Sequence, residues 1–70
     1  MQNRLKIERA ILDLTQDELA QKIGVSRQTI NSIEKNRYVP SILLALKLSQ
    51  LFNIPVNDFF ELEKTERIDN

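Results

Sequence analysis

The chain contains no Cys and no His. That excludes a disulfide framework, a thiolate or imidazole metal site, and the Ser-His and Cys-His nucleophile pairs. The groups left to do chemistry are carboxylates, amines, guanidiniums, amides and hydroxyls. Read as helices, the chain brings no pair of carboxylates together on an apolar pocket, so acid and base catalysis has no evident site. Hydrogen-bonding side chains concentrate instead between residues 27 and 37. Arg27, Gln28, Asn31, Ser32 and Lys35 recur at helical spacing, and Asn36, Arg37 and Tyr38 follow. Such a stripe is suited to binding a polar partner; it points away from an enzyme and calls for no cofactor.

Short helices must position that stripe. One Gly and two Pro leave little room for linkers, and β-branched alternation is absent, so the expected class is all-α. Leu5, Ile7, Ala10, Ile11 and Leu14 fall on one face of a first helix that ends near Asp13. Thr15 and Glu18 have the spacing of a capping box, which opens a second helix with Leu19, Ala20 and Ile23 inward. Gly24 supplies the left-handed residue that ends it. Ser26 is the next N-cap, so about three residues join helices two and three, the connection length of a helix-turn-helix. The third helix, from Arg27 to Lys35, buries Ile30 and Ile33 beneath the polar stripe. Ser41 caps a leucine-rich fourth helix running to Asn53, with Ile42, Leu44, Ala45, Leu48 and Phe52 as its core face. Pro55 opens a short fifth helix through Val56, Phe59 and Phe60. Residues 1–62 are expected to form a compact five-helix domain with a helix-turn-helix at helices two and three, and residues 63–70 a charged, fraying tail.

Seventy residues allow one modest core. No apolar run spans a bilayer and no signal peptide opens the chain, so the expectation is a cytoplasmic protein without membrane contact. The formal net charge of zero hides an asymmetry. Residues 1–50 carry eight Lys and Arg against five Asp and Glu; residues 51–70 carry two against five. A basic body and an acidic tail are compatible with one face on a polyanion.

The spacing of Ala20, Gly24, Ile30 and Ile33 has a mechanical reason. A small side chain at 20 lets helix three cross closely over helix two, Gly24 makes the turn, and the two isoleucines anchor helix three while its outer face stays free to enter a major groove. The stretch from Leu14 to Arg37, with Leu-Thr-Gln-Asp-Glu-Leu-Ala and Gly-Val-Ser-Arg-Gln-Thr-Ile, resembles the phage repressor and Cro-like (xenobiotic response element) helix-turn-helix regulators. The resemblance continues through Pro40-Ser41 and Leu44 to Leu48 as far as Phe60. Two positions depart from the family pattern. Asp13 stands where relatives often carry Gly, and Lys35-Asn36 replaces the common Asn-Gly; Asp and Asn both tolerate the left-handed region.

The resemblance implies a sequence-specific transcriptional regulator, with a repressor as the first expectation. It implies base contacts from Arg27, Gln28, Asn31 and Ser32, since Arg can bond guanine and Gln adenine. Backbone contacts would come from Gln16 at the start of helix two, from Lys35, Asn36 and Arg37, and from the helix-four amides near Ser41. Tyr38 would either touch a phosphate or cap the core. A structural ion pair between Arg9 and Glu34 is also implied.

Leu43 and Leu46 lie off the core stripe of helix four, and with Phe59, Phe60 and Leu62 they form the expected homodimer interface. Two-fold symmetry would require an approximately palindromic double-stranded operator. No small-molecule effector site is evident. The rival reading is an antitoxin or other protein-interaction module on the same fold.

Overall fold

The computed structural model describes residues 1–69. Five helices follow in order: α1 (Leu5–Ile11), α2 (Gln16–Ile23), α3 (Arg27–Glu34), α4 (Ile42–Phe52) and α5 (Val56–Phe59). Two pieces outside the helical pattern pair with each other. β1 (Gln2–Asn3) and β2 (Phe60–Glu61) form a two-stranded antiparallel ribbon with Gln2 opposite Glu61 and Asn3 opposite Phe60. The fold is therefore helical with a small clasp between its two ends.

The helix boundaries follow from local chemistry. The Thr15 hydroxyl accepts from the Glu18 amide at 3.0 Å and the Glu18 carboxylate accepts from the Thr15 amide at 2.9 Å. Those bonds satisfy two amide donors that the helix cannot, and the backbone bond from Thr15 holds the Glu18 carboxyl below the usual carboxylate range. Ser26 and Ser41 cap α3 and α4 by accepting from the amides of Thr29 and Leu44. Asp13, Gly24, Asn36 and Asn53 all take positive φ between 56° and 76°, each just beyond a helix end. At Gly24 a Cβ would meet nothing within 4 Å. Glycine is favoured there by its φ of 76° and not by crowding.

The core gathers Leu5, Leu19, Ala20, Ile23, Ile30, Ile33, Leu44, Leu48 and Phe59. Ala20 is 1% exposed, as a close crossing of α2 and α3 requires. Three expectations about the core need correction. On α1 only Leu5 is buried; Ile7, Ala10 and Ile11 face solvent, because this seven-residue helix lies at the rim and meets its neighbours mainly near its first turn and through Arg9. On α4, Ile42 is 79% exposed, since the first turn projects past the core, and the buried face reduces to Leu44 and Leu48 with Ala45 and Phe52 half-buried. Phe59, expected at a dimer surface, is 1% exposed and packs against the tilted rings of Phe52 and Phe60, with ring centroids at 5.5 and 5.0 Å.

The start of the tail also differs from a fraying segment. Lys64–Glu66 forms a single 3-10 turn, capped by Glu63 and Glu66. The Met1 ammonium lies 2.9 Å from Glu66, whose carboxylate raises the pKa of that amine. The last tail residue, Asn70, lies outside the described residues. No helix among the described residues is long and apolar enough to cross a membrane.

Candidate nucleic-acid interface

Helix α3 presents its polar side outward. Arg27, Gln28 and Lys35 are exposed, and Asn31 and Ser32 are half-buried on the same side, while Ile30 and Ile33 are fully buried beneath them. The first turn of α2 carries Asp17 and Glu18, the charges that suit the positive end of a helix. The first turn of α3 has no acidic residue and begins with Arg27. A cation at that end is unfavourable for the helix alone, so the residue makes physical sense when an anion lies nearby.

The site residues fall into two groups. Gln16, Arg27, Gln28 and Asn31 line one hollow between the start of α2 and the outer face of α3. Ser26, Gln28, Thr29, Ser32 and Tyr38 line a second hollow on the other side of α3. Tyr38 is 45% exposed and so does not cap the core. Lys35, Asn36 and Arg37 are exposed at the far end of α3, and Ser41 is exposed at the start of α4. The Arg37 amide closes the helix by donating to the Ser32 carbonyl at 2.9 Å.

The Arg9 and Glu34 side chains form a two-point ion pair. Arg9 Nε donates to Glu34 Oε2 at 2.7 Å and Nη2 to Oε1 at 3.2 Å, and Nη1 reaches the Leu14 carbonyl at 2.8 Å. The Glu34 side chain is 5% exposed and that of Arg9 17%. Hydrogen bonding to Glu34 is the main cause that raises the Arg9 pKa. The pair ties α1 and the α1–α2 turn to the end of α3, so it fixes the angle at which α3 leaves the core.

Gln16 is placed differently from its expected role. Its Nε2 donates to Glu34 Oε1 at 3.1 Å and to Asn31 Oδ1 at 3.3 Å. Both side-chain protons are thereby engaged within the protein. The α2 backbone amides remain as the donors for an anion at that helix end.

Asn3 is a residue that pattern reading missed. Its Nδ2 donates to the Ile33 carbonyl at 2.9 Å and to Asn36 Oδ1 at 3.0 Å, and its Oδ1 accepts from the Leu5 amide at 3.0 Å. One amide thus caps the start of α1 and the end of α3. The available signal was an Asn two residues before a helical run, the pattern of an Asx turn; its reach to residue 33 had none.

A short α2–turn–α3 unit with a buried crossing, and a second helix that bares a polar, cation-bearing face, defines a helix-turn-helix domain. The helix-turn-helix family profile matches residues 5–59. An HTH-type transcriptional regulator of Methanocaldococcus jannaschii is 50% identical over 66 residues, spanning 94% of this chain and 100% of that protein. Another, from Bacillus subtilis, is 45% identical over 64 residues, spanning 91% and 97%. The solution structure of the SOS-response transcriptional repressor LexA from Eubacterium rectale is similar with a TM-score of 0.76 at 36% identity, over 94% of this chain and 69% of that one. This chain belongs to the helix-turn-helix family, in its phage repressor and Cro-like branch, and is a non-enzymatic, DNA-binding transcriptional regulator.

Proposed function

We propose that this regulator binds double-stranded DNA sequence-specifically, with α3 in the major groove, and represses transcription by occupying an approximately palindromic operator as a homodimer in the cytoplasm. The observation that carries the reading is the wholly polar outer face of α3, which opens with a cation at the positive end of the helix. Arg27, Gln28, Asn31 and Ser32 meet base edges; Lys35, Asn36, Arg37 and Tyr38 follow the phosphates on one flank. The backbone amides at Gln16 and beyond Ser41 hold phosphates at the starts of α2 and α4. Repression is the mode named for the LexA neighbour, and occupancy of a promoter needs no further chemistry.

Selection from a random duplex pool, followed by titration of variants, tests the assignment. Arg27→Ala should cost about 1–3 kcal/mol on the selected duplex and relax the preference at one base position. Arg37→Ala should weaken selected and random duplexes alike and reduce the salt slope by about one unit. Identical effects of the two variants on both kinds of duplex would remove the distinction between base and backbone contacts.

The dimer reading rests on α4. Ile42, Leu43 and Leu46 are 79%, 65% and 54% exposed, and they share one side of the helix by their spacing. Leu62, 48% exposed, is further apolar surface for the interface, and half-buried Phe60 is its rim; Phe59 belongs to the core. Pairing about a two-fold axis would set two α3 helices about 34 Å apart, the spacing of successive major grooves. Sedimentation of the parent at micromolar concentration should give a dimer, and a Leu43→Glu, Leu46→Glu variant a folded monomer. A parent that stays monomeric both free and on its operator would refute the dimer and leave the groove assignment standing.

A further inference from the structure

Arg9, Glu34, Gln16 and Asn31 form a chain of hydrogen bonds in which each step has one allowed direction. A guanidinium only donates, and Arg9 occupies Glu34 from one side at 2.7 and 3.2 Å. A carboxylate only accepts, so the Gln16 amide must turn Nε2 towards Glu34 Oε1, at 3.1 Å. The second proton on Nε2 points at Asn31, which must meet it with oxygen, at 3.3 Å. The amide ends of both residues are thus assigned by a fixed charge and not by shape, which is the same for either orientation. Among the described residues nothing accepts from Asn31 Nδ2, yet the structure has no buried side-chain nitrogen without a partner there, so this NH2 group is open to solvent. Asn31 lines one hollow with Gln16, Arg27 and Gln28.

We infer that the Arg9–Glu34 pair sets, through Gln16, the hydrogen-bond polarity that Asn31 presents to DNA, so that Asn31 reads a base as a donor and Gln16 is a positioning residue for specificity. The inference rests on the placement of α3 in the major groove. A free asparagine amide pairs with adenine by using both its ends, accepting from N6 and donating to N7. With Gln16 donating to Oδ1, the amide is held in one orientation: the outward group is the donor Nδ2, and Oδ1 keeps a second lone pair. The Nδ2 group matches the acceptors of guanine (N7 and O6), thymine (O4) and adenine (N7), and cytosine alone offers it only an opposing donor, N4. The Asn31 position of the operator therefore excludes cytosine.

The test is a complete single-substitution profile of the selected duplex, bound by the 70-residue chain and its variants. Asn31→Ala should flatten one position, at which the parent disfavours cytosine by about tenfold. Gln16→Ala should flatten that same position and leave the Arg27 position intact, because the released amide can rotate to donate or accept. A purely structural role for Gln16 would weaken all positions together. Glu34→Gln supplies an independent arm. Its oxygen stays on Arg9 Nε and its NH2 turns to Gln16, which inverts Gln16 and then Asn31, so the preference should move towards adenine or cytosine. Cytosine preferred by the parent, an unchanged profile in Gln16→Ala or in a folded Glu34→Gln variant, or no position sensitive to Asn31→Ala while one responds to Arg27→Ala would each overturn the relay alone. Profiles insensitive to both Asn31→Ala and Arg27→Ala would overturn the major-groove placement, and the relay with it.

Discussion

Arg9→Ala is expected to destabilise the fold by about 3–5 kcal/mol, the cost typical of removing one partner from a buried ion pair. The reason lies in what stays behind. The Glu34 carboxylate is 5% exposed and loses both bonds from Arg9, which leaves the Gln16 amide as its remaining side-chain donor. The Leu14 carbonyl loses its bond as well. Glu34→Ala should cost less, because the longer Arg9 side chain is 17% exposed and can turn its head towards water while it keeps Leu14. Small domains hold only about 5–15 kcal/mol in total, so Arg9→Ala should melt far below the parent. Urea unfolding of both single variants and the double variant measures the pair. An Arg9→Ala cost under about 1 kcal/mol, the range of surface pairs, would show that the contact is solvated and does not set the α3 angle.

Phe59→Ala is expected to cost a similar amount, about 3–5 kcal/mol, as large core truncations do. The Phe59 ring is 1% exposed and lies between Phe52 of α4 and Phe60 of β2. Its carbonyl also accepts from the Arg4 amide at 3.0 Å, next to the β1–β2 clasp. Loss of the ring removes the contact that holds the C-terminal segment against the body, so thermal unfolding should shift to markedly lower temperature. Phe60→Ala, at a half-buried position, should cost less. Equal costs for the two variants would contradict their different placement, and a stable Phe59→Ala protein that no longer dimerises would restore Phe59 to an interface.

These two residues also mark where sequence reading stops. Helix ends were legible because caps act within four residues: Thr15 with Glu18, Ser26 and Ser41, and the left-handed positions at Asp13, Gly24 and Asn36 depend on neighbours in the chain. The polar face of α3 was legible from periodicity alone. Which apolar residues of α1 would be buried was not, because that depends on where a seven-residue helix meets the rest of the body. Ile7 and Ile11 have the spacing of a core face and still face water. The same applies to Phe59 and Phe60, neighbours of identical type whose burial is decided by the turn from α5 into β2. The clasp itself pairs two residues with two, too short a ladder to leave a pattern. Gln16 shows a third kind of limit. Its place at the start of α2 was readable, but the engagement of its amide with Glu34 and Asn31 requires the packing of three helices.

The surface assigned to DNA is the outer face of α3 with the starts of α2 and α4. Backbone amide shifts of the 15N-labelled chain, followed by NMR during titration with the selected duplex, test that assignment most directly. The largest changes should fall at Gln16 and Asp17, across Arg27 to Ser32, at Lys35 to Arg37 and at Ile42 and Leu43, while the exposed α1 residues Ile7 and Ile11 stay nearly still. Changes concentrated on α1 or on α5, with Arg27 to Ser32 unmoved, would contradict the account.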